Sequence, residues 1–116
     1  MKGKAEYIYV QKEKDLWEKV LLEDIYYIET VKSTHYCQIV YKGGAGKVKA
    51  DITPLYREFS HILFRTRSST LVNLEMVQQI DMKNRLLYFT RSISCSYTQR
   101  VIKELKERLN IRSYRD

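Results

Sequence analysis

The residues of this 116-residue chain best suited to chemistry stand in one block, Phe64-Arg65-Thr66-Arg67-Ser68-Ser69-Thr70-Leu71-Val72-Asn73. Apolar residues that suit strands open and close it, and two arginines with a run of short hydroxyl side chains fill its middle. A guanidinium is a fixed positive fork that fits a phosphate or the edge of guanine. Serine and threonine approach a phosphate closely and donate a hydrogen bond to it. Held at both ends by core residues, such a crest makes a rigid finger for nucleic acid. A polar surface turn accounts for the same residues, and taken alone they favour it. Two further segments carry the same chemistry. Lys32, Ser33 and His35 lie in the polar run from Thr30 to His35; Arg91 and Ser92 are followed by Ser94, Ser96, Thr98 and Arg100.

Composition narrows what these segments can meet. The chain is 44% hydrophobic and 30% charged, the balance of one folded domain able to bury a core. Its formal net charge of +7 attracts polyanions: nucleic acid, an anionic membrane surface or an acidic protein. No apolar run reaches the length of a membrane span, and Met1-Lys2-Gly3-Lys4 leads into no apolar segment of the kind a secretory signal needs. Cys37 and Cys95 are far apart and form no ligand-like cluster, so both read as reduced thiols. No G-x-S-x-G elbow and no glycine-rich loop before a helix is present, which argues against an enzyme, and no cofactor or metal is expected.

The elements that must position the three segments are mostly strands. Tyrosine, valine, isoleucine and threonine fill runs that alternate with period two, separated by frequent turn signals. The pattern predicts strands over Glu6–Val10, Leu16–Leu22, Ile25–Glu29 and Tyr36–Lys42, with Lys12–Asp15 as the first turn. Gly43-Gly44 supplies turn chemistry before an alternating strand over Lys47–Ile52. Thr53-Pro54 marks the start of a short helix ending near Phe59. Ile62–Thr66 and Thr70–Val72 flank the arginine–serine crest. Val77–Met82 and Leu86–Thr90 form a hairpin turned at Lys83-Asn84-Arg85, and Ile93–Cys95 is a last extended piece. Ser96 and Gln99 have the spacing of a capping box, predicting one longer amphipathic helix with Val101, Ile102, Leu105 and Leu109 on its buried face. Its N-terminus would favour phosphate. The tail from Asn110 is polar and expected to fray.

Asp24-Ile25-Tyr26-Tyr27-Ile28-Glu29 resembles the D-I-x-x-I-E strand of the LytTR-type DNA-binding domain of the AlgR/AgrA/LytR family of bacterial response regulators. Phe64 to Asn73 is similar to that family's F-x-R-x-H-[RKN]-S-x-[LIV]-V-N block, and Ser96 with the following helix to its S-[RK]-x-[YF] motif. The resemblance spans about Tyr7 to Leu109, so residues 1–116 read as one domain with a core near 7–109. It implies a mainly β fold: an elongated multi-stranded antiparallel domain with one short helix and one C-terminal amphipathic helix. It further implies loops that enter successive grooves on one side of double-stranded DNA, in two copies on tandem direct repeats. On that resemblance His35 is the first base-reading residue. Arg67, Ser68 and Ser69 make phosphate and minor-groove contacts; by residue type and loop position Lys32 and Arg91 are further phosphate contacts and Ser33 a further DNA-binding residue. The second base contact belongs at the last helix, where Tyr97 and Thr98 replace the expected basic residue and Arg100 is the nearest one.

The resulting expectation is transcription regulation in a bacterial cytoplasm, as a response-regulator output domain or a stand-alone regulator, without a membrane partner. A basic module for protein or RNA, using the same loops, is the alternative. Several residues read as structural. Ser96 suits a helix cap, Tyr26, Tyr27, Tyr36, Tyr41 and Tyr88 suit the core and sheet faces, Trp17 suits packing, His61 suits packing beside the short helix, and Glu29 suits a hydrogen bond inside the fold, since a carboxylate facing phosphate would repel it.

Overall fold

Alternation sets the architecture. In the computed structural model, which describes residues 6–112, ten strands and two α-helices follow one another. The strands are β1 (Tyr7–Glu13), β2 (Leu16–Leu21), β3 (Ile25–Thr30), β4 (Tyr36–Tyr41), β5 (Gly44–Lys49), β6 (Phe64–Arg67), β7 (Thr70–Val72), β8 (Gln79–Asp81), β9 (Leu86–Tyr88) and β10 (Ser94–Ser96). Helix α1 spans Ile52–Phe59 and α2 spans Ile102–Arg108, with 3-10 turns at Leu22–Asp24, Leu74–Met76 and Gln99–Val101. The first seven strands form one antiparallel sheet in the order β2-β1-β5-β4-β3-β7-β6, and the last three form a second sheet in the order β10-β9-β8. The molecule is elongated, 58 × 41 × 27 Å.

The seven-stranded sheet is a shared wall. On one face Val10, Val20, Ile28, Ile39, Val48 and Leu71 pack under Ile52, Leu55 and Phe59 of α1. On the other face Tyr26, Phe64 and Val72 pack against Leu87, Phe89 and Cys95 of the second sheet and Leu105 of α2. The continuous apolar run Ile25–Ile28 is therefore a central strand, serving one core with Ile25 and Ile28 and the other with Tyr26 and Tyr27. Phe89 stacks with Tyr26 and Tyr27 at centroid distances of 5.2 and 5.9 Å.

Several boundaries differ from the sequence expectation. Lys12 is drawn into β1 because its ammonium donates to Tyr41 Oη and the Ala45 carbonyl, both at 2.8 Å, which leaves only Lys14-Asp15 to turn. β5 starts three residues earlier than predicted. The turn is Lys42-Gly43, with Gly43 at φ 108°, and Gly44 and Gly46 are strand residues. Gly46 lies so close to β1 that a Cβ would sit 2.6 Å from Val10 Cγ2, so glycine is required there by strand approach and not by turning. Ile52 belongs to α1, not to the strand, and Asp51, not Thr53, is the residue before the helix.

The last helix also differs. Ser96 ends β10 instead of capping a helix; the helical segment opens as a 3-10 turn after Thr98, and α2 itself has seven residues, one fewer than α1. Directly after α2 the chain is held as far as Ile111, while residues 113–116 of the tail expected to fray lie outside the described residues. Asn110 takes the left-handed conformation (φ 58°), its N–H donates to Glu107 O at 3.1 Å, and the Ile111 N–H donates to Lys106 O at 2.9 Å. That is the six-to-one and five-to-two pairing that closes a helix C-terminus with asparagine in place of glycine.

Candidate nucleic-acid interface

The first candidate segment is the β3–β4 loop. Thr34 shapes it: its hydroxyl donates to Val31 O at 2.8 Å and accepts from the Tyr36 N–H at 3.1 Å. Ser33 sits at φ 65°, a backbone setting that non-glycine residues seldom adopt. This tight loop displays Lys32, Ser33 and His35 to solvent. His35 Nδ1 lies 3.4 Å from Asp51 Oδ1, while its side chain stays 84% exposed. The carboxylate before α1 accepts from Nδ1–H and orients the ring, which leaves Nε2 as the acceptor for a donor on a base edge.

The β6–β7 crest separates its two arginines by a bulge between Arg65 and Arg67. Arg65 faces α1. Its Nη2 donates to Ser68 O at 2.6 Å and to Thr53 Oγ1 at 3.3 Å, and its guanidinium lies 5.6 Å from the Tyr56 ring centroid. It braces the turn from inside. Arg67 is exposed, and its Nη1 donates to Ser96 Oγ at 3.1 Å. Ser68 is exposed and Ser69 half-buried; the Ser69 carbonyl accepts from the Thr30 N–H at 3.0 Å. Glu29 accepts from Thr70 Oγ1 at 3.3 Å, so its carboxylate has the internal partner expected of it.

The third segment is tied to the second. Thr98 donates to Thr66 O through its N–H at 3.2 Å and through Oγ1 at 3.4 Å. Arg65 to Ser68, Thr98, Arg100 and Val101 line an open cleft of about 370 Å³ between the crest and the 3-10 turn. Arg100 is exposed at its mouth. Tyr97, one of the two residues replacing the expected basic side chain, is 1% exposed and donates its hydroxyl to Asp81 O at 3.3 Å. It is a core residue and cannot reach a ligand. Burial pushes its phenol pKa up. Arg91 stands apart, in the turn of the β9–β10 hairpin, whereas Ser96 is at the other end of that strand. The intervening chain spans up to about 16 Å.

Two cations of the Lys83–Arg85 turn adjoin the site. The Tyr97 N–H donates to the Arg85 carbonyl at 3.1 Å, which brings the exposed Lys83–Arg85 turn beside Ser96. Asn84 fixes that turn by donating from its backbone and side chain to Asp81 at 2.9 and 2.8 Å. Those bonds hold the Asp81 carboxyl below its ordinary range. No sequence signal marks this proximity to Ser96, because it depends on Leu86 pairing with Ser96 across β9 and β10. His61, expected among packing residues, is exposed instead and bonds Glu6 at 2.5 Å. Among the described residues no group of side chains could hold a metal ion.

The Thr30–Ser69 bond joins the first segment to the second, and the Arg67–Ser96 and Thr98–Thr66 bonds join the second to the third. Guanidinium, ammonium and hydroxyl groups so gathered on rigid strand ends suit a polyanion. The sequence matches the LytTr DNA-binding domain family over residues 15–110, and the chain belongs to that family, a DNA-binding and non-catalytic one. Its structure is similar to a solved chain described as the LytTr DNA-binding domain of a methyl-accepting/DNA response regulator from Bacillus cereus. The two share 18% identity with a TM-score of 0.76, over 94% of this chain and 100% of that one. No curated protein sequence matches.

Proposed function

We propose that this domain reads particular sequences of double-stranded DNA and regulates transcription in a bacterial cytoplasm, as the output domain of a two-component response regulator or as a stand-alone regulator. The observation that supports this most directly is the contiguity of the three loop segments through the Thr30–Ser69 and Arg67–Ser96 hydrogen bonds. Lys32, Ser33, Arg67, Ser68 and Ser69 clamp phosphates; Ser96 and Thr98 support them, and Arg91 is an outlying phosphate contact. Lys83 and Arg85 extend the clamp. His35 reads one base edge, and Arg100 reads a second from the mouth of the cleft. The domain occupies 1–116 with its core near 7–109, needs no cofactor, and acts in two copies on tandem direct repeats.

Selection of bound duplexes from a random pool tests the reading. The expected product is one enriched motif, recurring at a spacing of whole helical turns. A pool that stays random at moderate salt, while bulk DNA is still bound, would reduce the function to non-specific binding.

A further inference from the structure

The face of the seven-stranded sheet that carries the second core is covered over only part of its width. The second sheet and α2 sit on β3, β6 and β7, reaching Val40 at the margin of β4. Beyond that margin no described residue covers the face. In β1 and β2, Tyr7 is opposite Leu21, Tyr9 opposite Lys19 and Gln11 opposite Trp17, so all six side chains share it. Their sequence neighbours Ile8, Val10 and Val20 point into the other core. Lys47 joins opposite Gln11 and Gln38, and Lys49 opposite Tyr36.

The composition of this face is unusual for a solvated sheet. Tyr7, Tyr9 and Trp17 are 50%, 52% and 52% exposed, so Trp17 is not the packing residue its type predicts. Lysines stand among them, with Lys19 Nζ 4.3 Å from the Tyr7 ring centroid and Lys47 Nζ 4.8 Å from that of Tyr36. Open-face positions of β1, β2, β4 and β5 supply three lysines and no carboxylate. A second copy of the chain would set like charge against like. An apolar protein surface would bury the ammonium groups. A duplex keeps the faces of its bases stacked inside, out of reach of protruding rings.

We propose that this open face binds a single-stranded polynucleotide, with bases stacking on Tyr7, Tyr9 and Trp17 and phosphates meeting Lys19, Lys47 and Lys49. Tyr7 and Tyr9 lie edge to face with centroids 5.9 Å apart, and Trp17 stands opposite Gln11 on the neighbouring strand, so their exposed ring faces line β1 and its partner where unstacked bases can lie. Every base has a π-face, so such a row is tolerant of sequence, unlike the loops that read a duplex. This surface is distinct from those loops and stands whether or not they are specific.

Trp17 is the only tryptophan of the chain, so its emission reports on this face alone. The intact chain would be titrated at low salt with short oligothymidylate, with oligouridylate and with a mixed-sequence duplex. Quenching of Trp17 by the single strands, weakened about 5- to 100-fold by Tyr9→Ala, is the expected result. Lys19→Glu, at a solvated position, is expected to weaken it too while leaving duplex binding unchanged. Comparing the two oligonucleotides separates DNA from RNA as the source. The proposal fails if neither moves the emission, or if the duplex quenches equally and displaces them. It also fails if the free domain self-associates in sedimentation and Lys19→Glu abolishes that association, since the face would then pair copies.

Discussion

Arg65 and Arg67, two positions apart, show how one bulge divides labour. Without the bulge both would point the same way; with it Arg65 turns to Ser68, Thr53 and Tyr56, and Arg67 faces solvent and Ser96. Period-two reasoning could find the arginines but not divide them, because a bulge leaves no mark in the alternation of so short a strand. We expect Arg67→Ala to weaken binding to all duplexes alike and to lower the salt slope by about one unit, read from affinity at several ionic strengths. His35→Ala should behave differently. Its loss should reach roughly 1–3 kcal/mol on the selected duplex and be slight on random DNA, and equal losses would remove it from base readout. Thr66 offers a control within the same strand. It is fully buried and its hydroxyl has no partner among the described residues, so Thr66→Val should leave the melting temperature unchanged or raise it.

Elements were legible where burial alternates and obscure where they begin or end. Ile25–Thr30 and Tyr36–Tyr41 stand where the apolar pattern predicts, because each places residues in a core. Caps were misjudged because hydroxyl and carboxylate groups served other partners. Ser96 accepts from Arg67, Asp51 pairs with His35, and Asn110, the first residue of the tail expected to fray, closes α2. Asn73, the last residue of the arginine–serine block, is structural. It is 2% exposed, accepts from the Glu75 N–H at 3.2 Å and donates to the Glu23 carbonyl at 3.3 Å, tying the Leu74–Met76 turn to the one before β3. Asn73→Ala should therefore destabilise the fold by about 2 kcal/mol in urea unfolding, with weaker DNA binding only in proportion to the unfolded fraction.

At the scale of the whole molecule, strand content pointed to the fold class and net charge to a polyanion of unspecified kind; the motif resemblance pointed to DNA, and the family match agrees. Which loops touch was not legible. The Thr30–Ser69 and Arg67–Ser96 contacts join residues distant in sequence, and only strand order and sheet stacking bring them together. Alkaline stability should reveal the second core. Burial pushes the Cys95 thiol from its ordinary 9.0 up to about 12, with Glu29 adding to the effect. The folded state thus favours the protonated thiol. Its contribution is complete below pH 9 and is lost as pH rises toward about 12. Melting temperatures measured across that range should fall more steeply for the native chain than for Cys95→Ala.

The common wall between the two cores has a consequence for how the molecule comes apart. Cys37 lies on the α1 side of the seven-stranded sheet and Cys95 on the other, both reduced and shielded. Nature has left one chemical clock in each compartment. If the partition yields as a unit, a thiol reagent will find both clocks at the same moment and at one rate; if one side peels away first, its clock will run fast.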